Sequence, residues 1–375
     1  MPLLEPRANP SRVMKWAAPL IAIVLMLLVG AVLFASLHVS PLKAFYVFFI
    51  EPLETSNGWS ELVLKASPLI LIAEGLAPGF RARIYNIGAE GQLLMGAICA
   101  SGVAIYANGS EAGWVLPAMV IAGAMGGAIW GAIPAWLKTH FNAEETLTTL
   151  MLTYIATLFL SWLVSVPWRD PDGSNFPQSI MFSDASLFTL LFDGLRINTS
   201  VFITMVAVLI FWVFISRSYT AFQVAVGGEA PAAARYAGFS ARKTVWLSLV
   251  VSGLTAGIAG AGEVAGPVGQ LTLSLSPGYG YAAIIVAWVG RLHPLGIVLS
   301  GFLMAMIYIG GDAGQVSLQL PSAITGLFQG LLLFFLLGAD AFVNYRLKRR
   351  RPHLHKELHE DKPQQTPKAA PEVAT

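Results

Sequence analysis

Charged residues are scarce in this sequence: Asp, Glu, Lys and Arg make up 12% of its 375 residues, against about 25% in a soluble domain. So few cannot coat a water-soluble chain of this length, and 55% of the residues are hydrophobic, with mean hydropathy +0.66. The solvent for most of the chain is therefore lipid. Cysteine is almost absent. Cys99 is the single one and lies in an apolar run, which excludes an intrachain disulfide and a thiolate metal cluster. The patterns G-x-x-x-x-G-K-[ST], H-E-x-x-H and G-x-S-x-G are missing too. Arg242-Lys243-Thr244, the nearest fragment to a P-loop, lacks the glycine that lets backbone wrap phosphates. No catalytic residue, metal ligand or cofactor of this chain's own is expected, and any ATP hydrolysis that drives it belongs to another chain. A net charge of +2 gives no footprint for nucleic acid. His353, His355 and His359, in a polar tail, read as solvated side chains rather than ligands.

What the sequence has is long apolar runs, with its 36 Gly and 22 Pro scattered through them as transmembrane helices tolerate. Runs long enough to cross a bilayer lie at 17–37, 62–79, 84–106, 114–137, 146–166, 200–216, 244–264, 294–311 and 321–338. A shorter run at 278–290, with Gly and Pro before it, counts as a broken tenth crossing. The first run follows Arg7, Arg12 and Lys15 but exceeds a signal peptide's apolar core and has no small-x-small site after it, so it reads as a retained helix. Ten crossings from a cytoplasmic N-terminus leave only Lys43, Lys65, Arg169 and Arg196 outside, 4 of 23 basic residues, as the positive-inside rule favours. The expected fold is an all-α polytopic bundle of about ten transmembrane helices: a cytoplasmic segment 1–16, a membrane domain 17–345, and a basic, then disordered, cytoplasmic tail 346–375. The outer stretch 167–199 contains Leu187–Phe192, which is too short to span and suits a helix at the membrane surface.

Three polar signals interrupt the apolar background. Asn86-Ile87-Gly88-Ala89-Glu90-Gly91-Gln92 opens the third run, and such groups normally face a bundle interior, cavity or partner. The competing reading is an Asn86 N-cap with Glu90 at headgroup level. Pro277-Gly278-Tyr279-Gly280-Tyr281 precedes the short crossing, where freed backbone groups would line a cavity, unless it is an ordinary turn. On the inner side, the stretch 228–238 has Pro231 at a helix start and Gly238 at its stop. That gives a two-turn helix with Glu229 near one end and Arg235 near the other, matching the macrodipole. Either it receives force from a soluble motor or it merely connects two spans.

Together, the NIGAEGQ stretch, the GGEAPAAARYAGFS loop and Ser276–Tyr281 running on to Gly290-Arg291-Leu292-His293-Pro294-Leu295-Gly296 resemble the permeases of bacterial ABC importers for simple sugars and nucleosides. The likeness covers about residues 60–345 and is nearest to the purine nucleoside branch. It implies a type II importer fold in the bacterial inner membrane. It also implies a separate ATPase subunit holding ATP and Mg, a second permease chain that is often a different paralogue, and an extracytoplasmic substrate-binding protein. The coupling helix maps to Glu229, Ala233, Arg235 and Gly238. Translocation candidates are Asn86, Gly88, Glu90, Gln92, Pro277, Tyr279 and Tyr281. Thr146 and Thr153 depart from the family's usual β-branched apolar residue and Asn, which puts nucleoside preference in question. The alternative is a self-sufficient proton-coupled transporter using Glu74, Glu90 and Glu263; an intramembrane enzyme is a third reading.

Overall fold

The computed structural model describes residues 3–6, 12–173 and 176–348. Arg7, the basic residues from Arg349 and the three tail histidines lie outside them. Nine helices among the described residues are long and apolar enough to cross a membrane. They are α1 (Arg12–Ser36), α3 (Ser56–Arg81), α4 (Ala89–Tyr106), α5 (Val115–Phe141), α6 (Glu145–Ser165), α7 (Ser200–Arg217), α10 (Ala241–Glu263), α12 (Pro294–Leu318) and α13 (Ala323–Asn344). Four shorter ones are α2 (Pro41–Phe49), α8 (Tyr219–Glu229), α9 (Pro231–Tyr236) and α11 (Tyr279–Val289). With 11 residues, α11 is about 16 Å long at 1.5 Å per residue, half the ~30 Å hydrocarbon layer. It stands where the sequence reading placed a broken tenth crossing. Strand β1 (Leu3–Pro6) pairs antiparallel with β2 (Tyr345–Lys348), so both ends lie on one face, as an even number of crossings requires.

Helix α3 is the central post: every residue from Ala66 to Phe80 is buried. Beside it α4, α5 and α10 lock together through glycines. Gly123, Gly127 and Gly131 of α5 meet Gly253, Gly257 and the Leu249 carbonyl of α10, and Gly96 of α4 meets Gly257, with no room for a Cβ at these contacts. Lipid offers no hydrophobic gain for helix association, so close backbone approach of this kind supplies the attraction instead. Helix α7 is the opposite case. Met205, Val206, Leu209, Ile210 and Val213 are more than half exposed, an apolar face that suits lipid.

Three expectations change in detail. Helix α4 begins at Ala89 rather than 84, leaving residues 84–88 outside any helix. The inner loop holds two helices, because Ser218 Oγ accepts from Thr220 N–H and starts α8 before Pro231 starts α9. Residues 187–192 form no helix. Their backbone is committed elsewhere: Phe188 N–H donates to the Ala265 carbonyl at 2.8 Å and Leu191 N–H to the Ile197 carbonyl at 2.9 Å. Leu187 and Phe188 pack on the core, and this outer segment lies against residues 265–271, where Ser179 N–H reaches the Leu271 carbonyl.

Candidate functional site

Helices α3 and α11 end alike. Arg83 takes φ +59°, with its N–H on the Phe80 carbonyl and the Ile84 N–H on the Gly79 carbonyl. Arg291 also takes φ +59°, with its N–H on Trp288 and the Leu292 N–H on Ala287. Both are Schellman turns, which satisfy the last helical carbonyls. The Arg81 guanidinium ties the two ends, donating to the Leu292 carbonyl from Nε at 3.1 Å and Nη2 at 2.6 Å.

From this end, residues 84–88 thread into the bundle. Asn86 Nδ2 donates to Gln92 Oε1 at 2.8 Å and Ser252 Oγ at 2.7 Å, while its Oδ1 accepts from Gly88 N–H at 2.9 Å. Ser252 is eleven residues into α10, about 16 Å, so this knot sits near mid-bilayer. Ile87 N–H finds Thr149 Oγ1 at 3.2 Å. Non-helical backbone at this depth survives only where protein groups satisfy it. Gly88 presses on Thr149 and Gly91 on Thr153, so α6 forms the wall behind them.

At Ala89 the N-terminus of α4 meets the N-terminus of α11. A Cβ on Gly280 would strike the backbone of Glu90. Two helix N-termini present unpaired N–H groups and partial positive charge, and a carboxyl group is the acceptor such a place calls for. Glu90 fills it. Its Oε2 accepts from Gly280 N–H at 2.7 Å. Ser276 Oγ accepts from Gly278 N–H at 3.2 Å and Tyr279 N–H at 3.0 Å. One carboxyl and one hydroxyl thus close the start of the half-helix.

The sequence-predicted residues divide into three groups. Asn86 and Gln92 are 3% and 1% exposed, bound to each other and facing α10 rather than a cavity. Gly88 and Glu90 stand at the junction itself. Pro277 and Tyr279 line a second space, a cavity of about 320 Å³ shared with Glu61, Lys65, Arg196 and Glu263. Ion pairs close its rim: Lys65 to Asp312 at 2.6 Å and Arg196 to Glu61 at 2.9 Å. Tyr281 points the other way. It is 39% exposed, with Tyr154, 57% exposed, near it. Tyr154 lies nine residues into α6, about 14 Å from its start. Hydroxyls at this depth are misplaced against lipid, since Tyr favours the membrane interfaces. Sequence reading missed Tyr154 because one Tyr in an apolar run gives no signal until the helix face is known.

On the α3 inner end, Gly228 of α8 rests on the Arg81 carbonyl and Ala82 with no room for a side chain. Helix α9 projects beyond: Ala233, Arg235 and Gly238 are exposed and Tyr236 is 97% exposed, while Ala234 is buried. Glu229 is the last residue of α8 and caps nothing, because the N-cap of α9 is Ala230. Contacts therefore run from α9 through α8 to Arg81, from there to the C-terminal end of α11, and along α11 to the Glu90 junction.

The family described as branched-chain amino acid transport system / permease component matches residues 58–337, a stretch that contains the junction, the inner helix pair and both Schellman turns. The chain belongs to that family. The permease is 34% identical to the glucose ABC transporter permease protein TsgB13 of Haloferax volcanii, over 92% of this chain and 93% of that one. It is 29% identical to the guanosine ABC transporter permease protein NupP of Bacillus subtilis, over 88% and 96%. It is 28% identical to the nucleoside ABC transporter permease protein NupB of Lactococcus lactis, over 86% and 90%. No solved structure matches it at the same stringency.

Proposed function

We propose that this permease is the membrane subunit of an ATP-driven importer for a nucleoside or simple sugar, with both termini on the cytoplasmic face of a bacterial inner membrane. The observation that carries the reading is the contact line from α9 to Glu90. A six-residue helix with an exposed Tyr236 and a buried Ala234 offers a rigid handle, and Gly228 joins that handle to the post α3. A separate ATPase grips α9, and its stroke reaches the half-helix junction through Arg81. ATP and Mg reside on that ATPase, and a binding protein delivers substrate from outside.

The exposed tyrosines Tyr154 and Tyr281 support a partner chain on the α6–α11 face, where a second permease, a paralogue of this one, would close a polar passage. Tyrosine rings and their hydroxyls suit an uncharged, many-hydroxyl ring compound, the chemistry shared by glucose and the ribose of nucleosides. The glucose, guanosine and nucleoside relatives support the same class.

The competing proton-relay reading loses support from the arrangement of its carboxylates. Glu74 is fully buried with no hydrogen-bond partner, Glu90 sits at the junction and Glu263 lines the outer cavity. No hydrogen bond among the described residues links the three. The test is uptake of labelled guanosine, ribose and glucose into cells that carry the permease with its partner subunits. Uptake is expected to vanish when the ATPase is disabled and to persist with a protonophore when ATP is kept up; the opposite pair of results overturns the proposal.

A further inference from the structure

A groove opens toward lipid between α7 and α10, with Leu71 and Pro78 of α3 as its floor. Its volume is about 360 Å³. One wall runs from Ile203 to Phe214 on α7 and the other from Leu247 to Ile258 on α10. Each wall spans twelve residues, about 16 Å from first to last, the depth of one leaflet of a ~30 Å hydrocarbon layer. Thr255, which lines it too, has its hydroxyl bonded to its own helix, so the groove presents apolar surface. Beside Leu247 the surroundings change. That residue also lines a second cavity of about 320 Å³, whose other walls include Thr220 and Gln223 of α8 with Ser240, Lys243 and Thr244 at the start of α10. Lys243 is exposed and has no ion-pair partner among the described residues. Arg217 ends α7 on the same side of the bundle.

An apolar slot one leaflet deep, open sideways to lipid and ending in a polar mouth with an unpaired cation, has the chemistry of a phospholipid turned head to that face. We propose that the groove and pocket together hold an anionic phospholipid, one acyl chain between α7 and α10 and the phosphate at Lys243 with the Thr220 hydroxyl. A zwitterionic phospholipid would fill the slot too, but its own ammonium group offsets the attraction of its phosphate to Lys243. Because α8 forms one wall of the mouth and leads directly into α9, the bound lipid braces the helix pair against the membrane. This inference concerns a different surface from the Glu90 junction, and its test involves no transport.

The test uses the full chain in nanodiscs with phosphatidylglycerol or phosphatidylcholine carrying the same photoactivatable acyl chain, followed by mapping of the labelled peptides. Adducts are expected on 203–214 and 247–258, with phosphatidylglycerol favoured about fivefold, the preference one basic residue confers near an anionic headgroup. Lys243→Gln is expected to bring the two lipids level. Val251→Trp and Ala207→Trp, which fill the groove from opposite walls, are expected to cut labelling there to that of the exposed α5 face. If the Val251 variant fails to fold, the Ala207 variant decides. Equal labelling by both lipids in the native chain, a preference that survives Lys243→Gln, or undiminished adducts in a folded filled variant overturns the proposal.

Discussion

Glu90 joins two helices rather than facing open space. Its Oε2 bond to Gly280 N–H holds α11 against α4. Glu90→Gln keeps an acceptor of the same shape, so the junction should hold with weaker bonds. Uptake rate should fall several-fold, in line with the ~1 kcal/mol between neutral and charge-assisted hydrogen bonds. Competition among guanosine, ribose and glucose should not change. Glu90→Leu leaves the Gly280 N–H unsatisfied at a cost of about 1–3 kcal/mol, and should abolish uptake. A shift in which compounds compete, with the maximal rate intact in Glu90→Gln, would instead make Glu90 a selectivity ligand.

At the scale of elements, the helix pair α8–α9 separates two neighbouring alanines. Ala233 faces out and Ala234 faces in. Ala233→Asp should leave the purified permease as heat-stable as the native chain yet remove substrate-stimulated ATPase activity in the assembled complex. Ala234→Asp places an unpaired charge in packed surroundings, at roughly 3–5 kcal/mol, and should lower the melting temperature itself. Substrate-stimulated hydrolysis surviving in Ala233→Asp would remove α9 from the coupling role. The α5–α10 interlock makes a separate claim. Gly127→Ala pushes a methyl into the Gly253 carbonyl, an overpacking of about 1–3 kcal/mol, and should destabilise the chain far more than Gly330→Ala. Gly330 of α13 meets nothing within 4 Å. Equal melting temperatures for the two variants would contradict the packing described.

For the whole molecule, the paired ends and the ten crossings fix which loops share a face. Asn108 follows α4 and Ala232 lies in α9, and both are exposed. An impermeant thiol reagent added outside intact cells should label Asn108→Cys and not Ala232→Cys, whereas permeabilised cells should label both. Cys99 lies against Gly126 inside the bundle and should stay silent. Labelling of Ala232→Cys in intact cells would reverse the orientation and move α9 away from any cytoplasmic motor.

By itself the sequence determined the membrane class, the nine long apolar helices and the short one at 279–289. Each rests on local chemistry: apolar length against bilayer thickness, and Gly, Pro and Asn where the helical ladder cannot run on. The short α9 was legible from Pro231 and Gly238 for the same reason. What tertiary structure decided is which way each polar group faces. Asn86 and Glu90 lie four residues apart in one motif, yet one braces α10 and the other closes α11, because residues 84–88 are not helical and no periodicity links them. The charged rim of Glu61, Lys65, Arg196 and Asp312 joins residues from three distant parts of the chain. Tyr154 became visible only once α6 had buried its Thr149–Thr153 face and left the other side bare. Composition sets which groups a membrane chain must shelter; packing alone sets which partner shelters each.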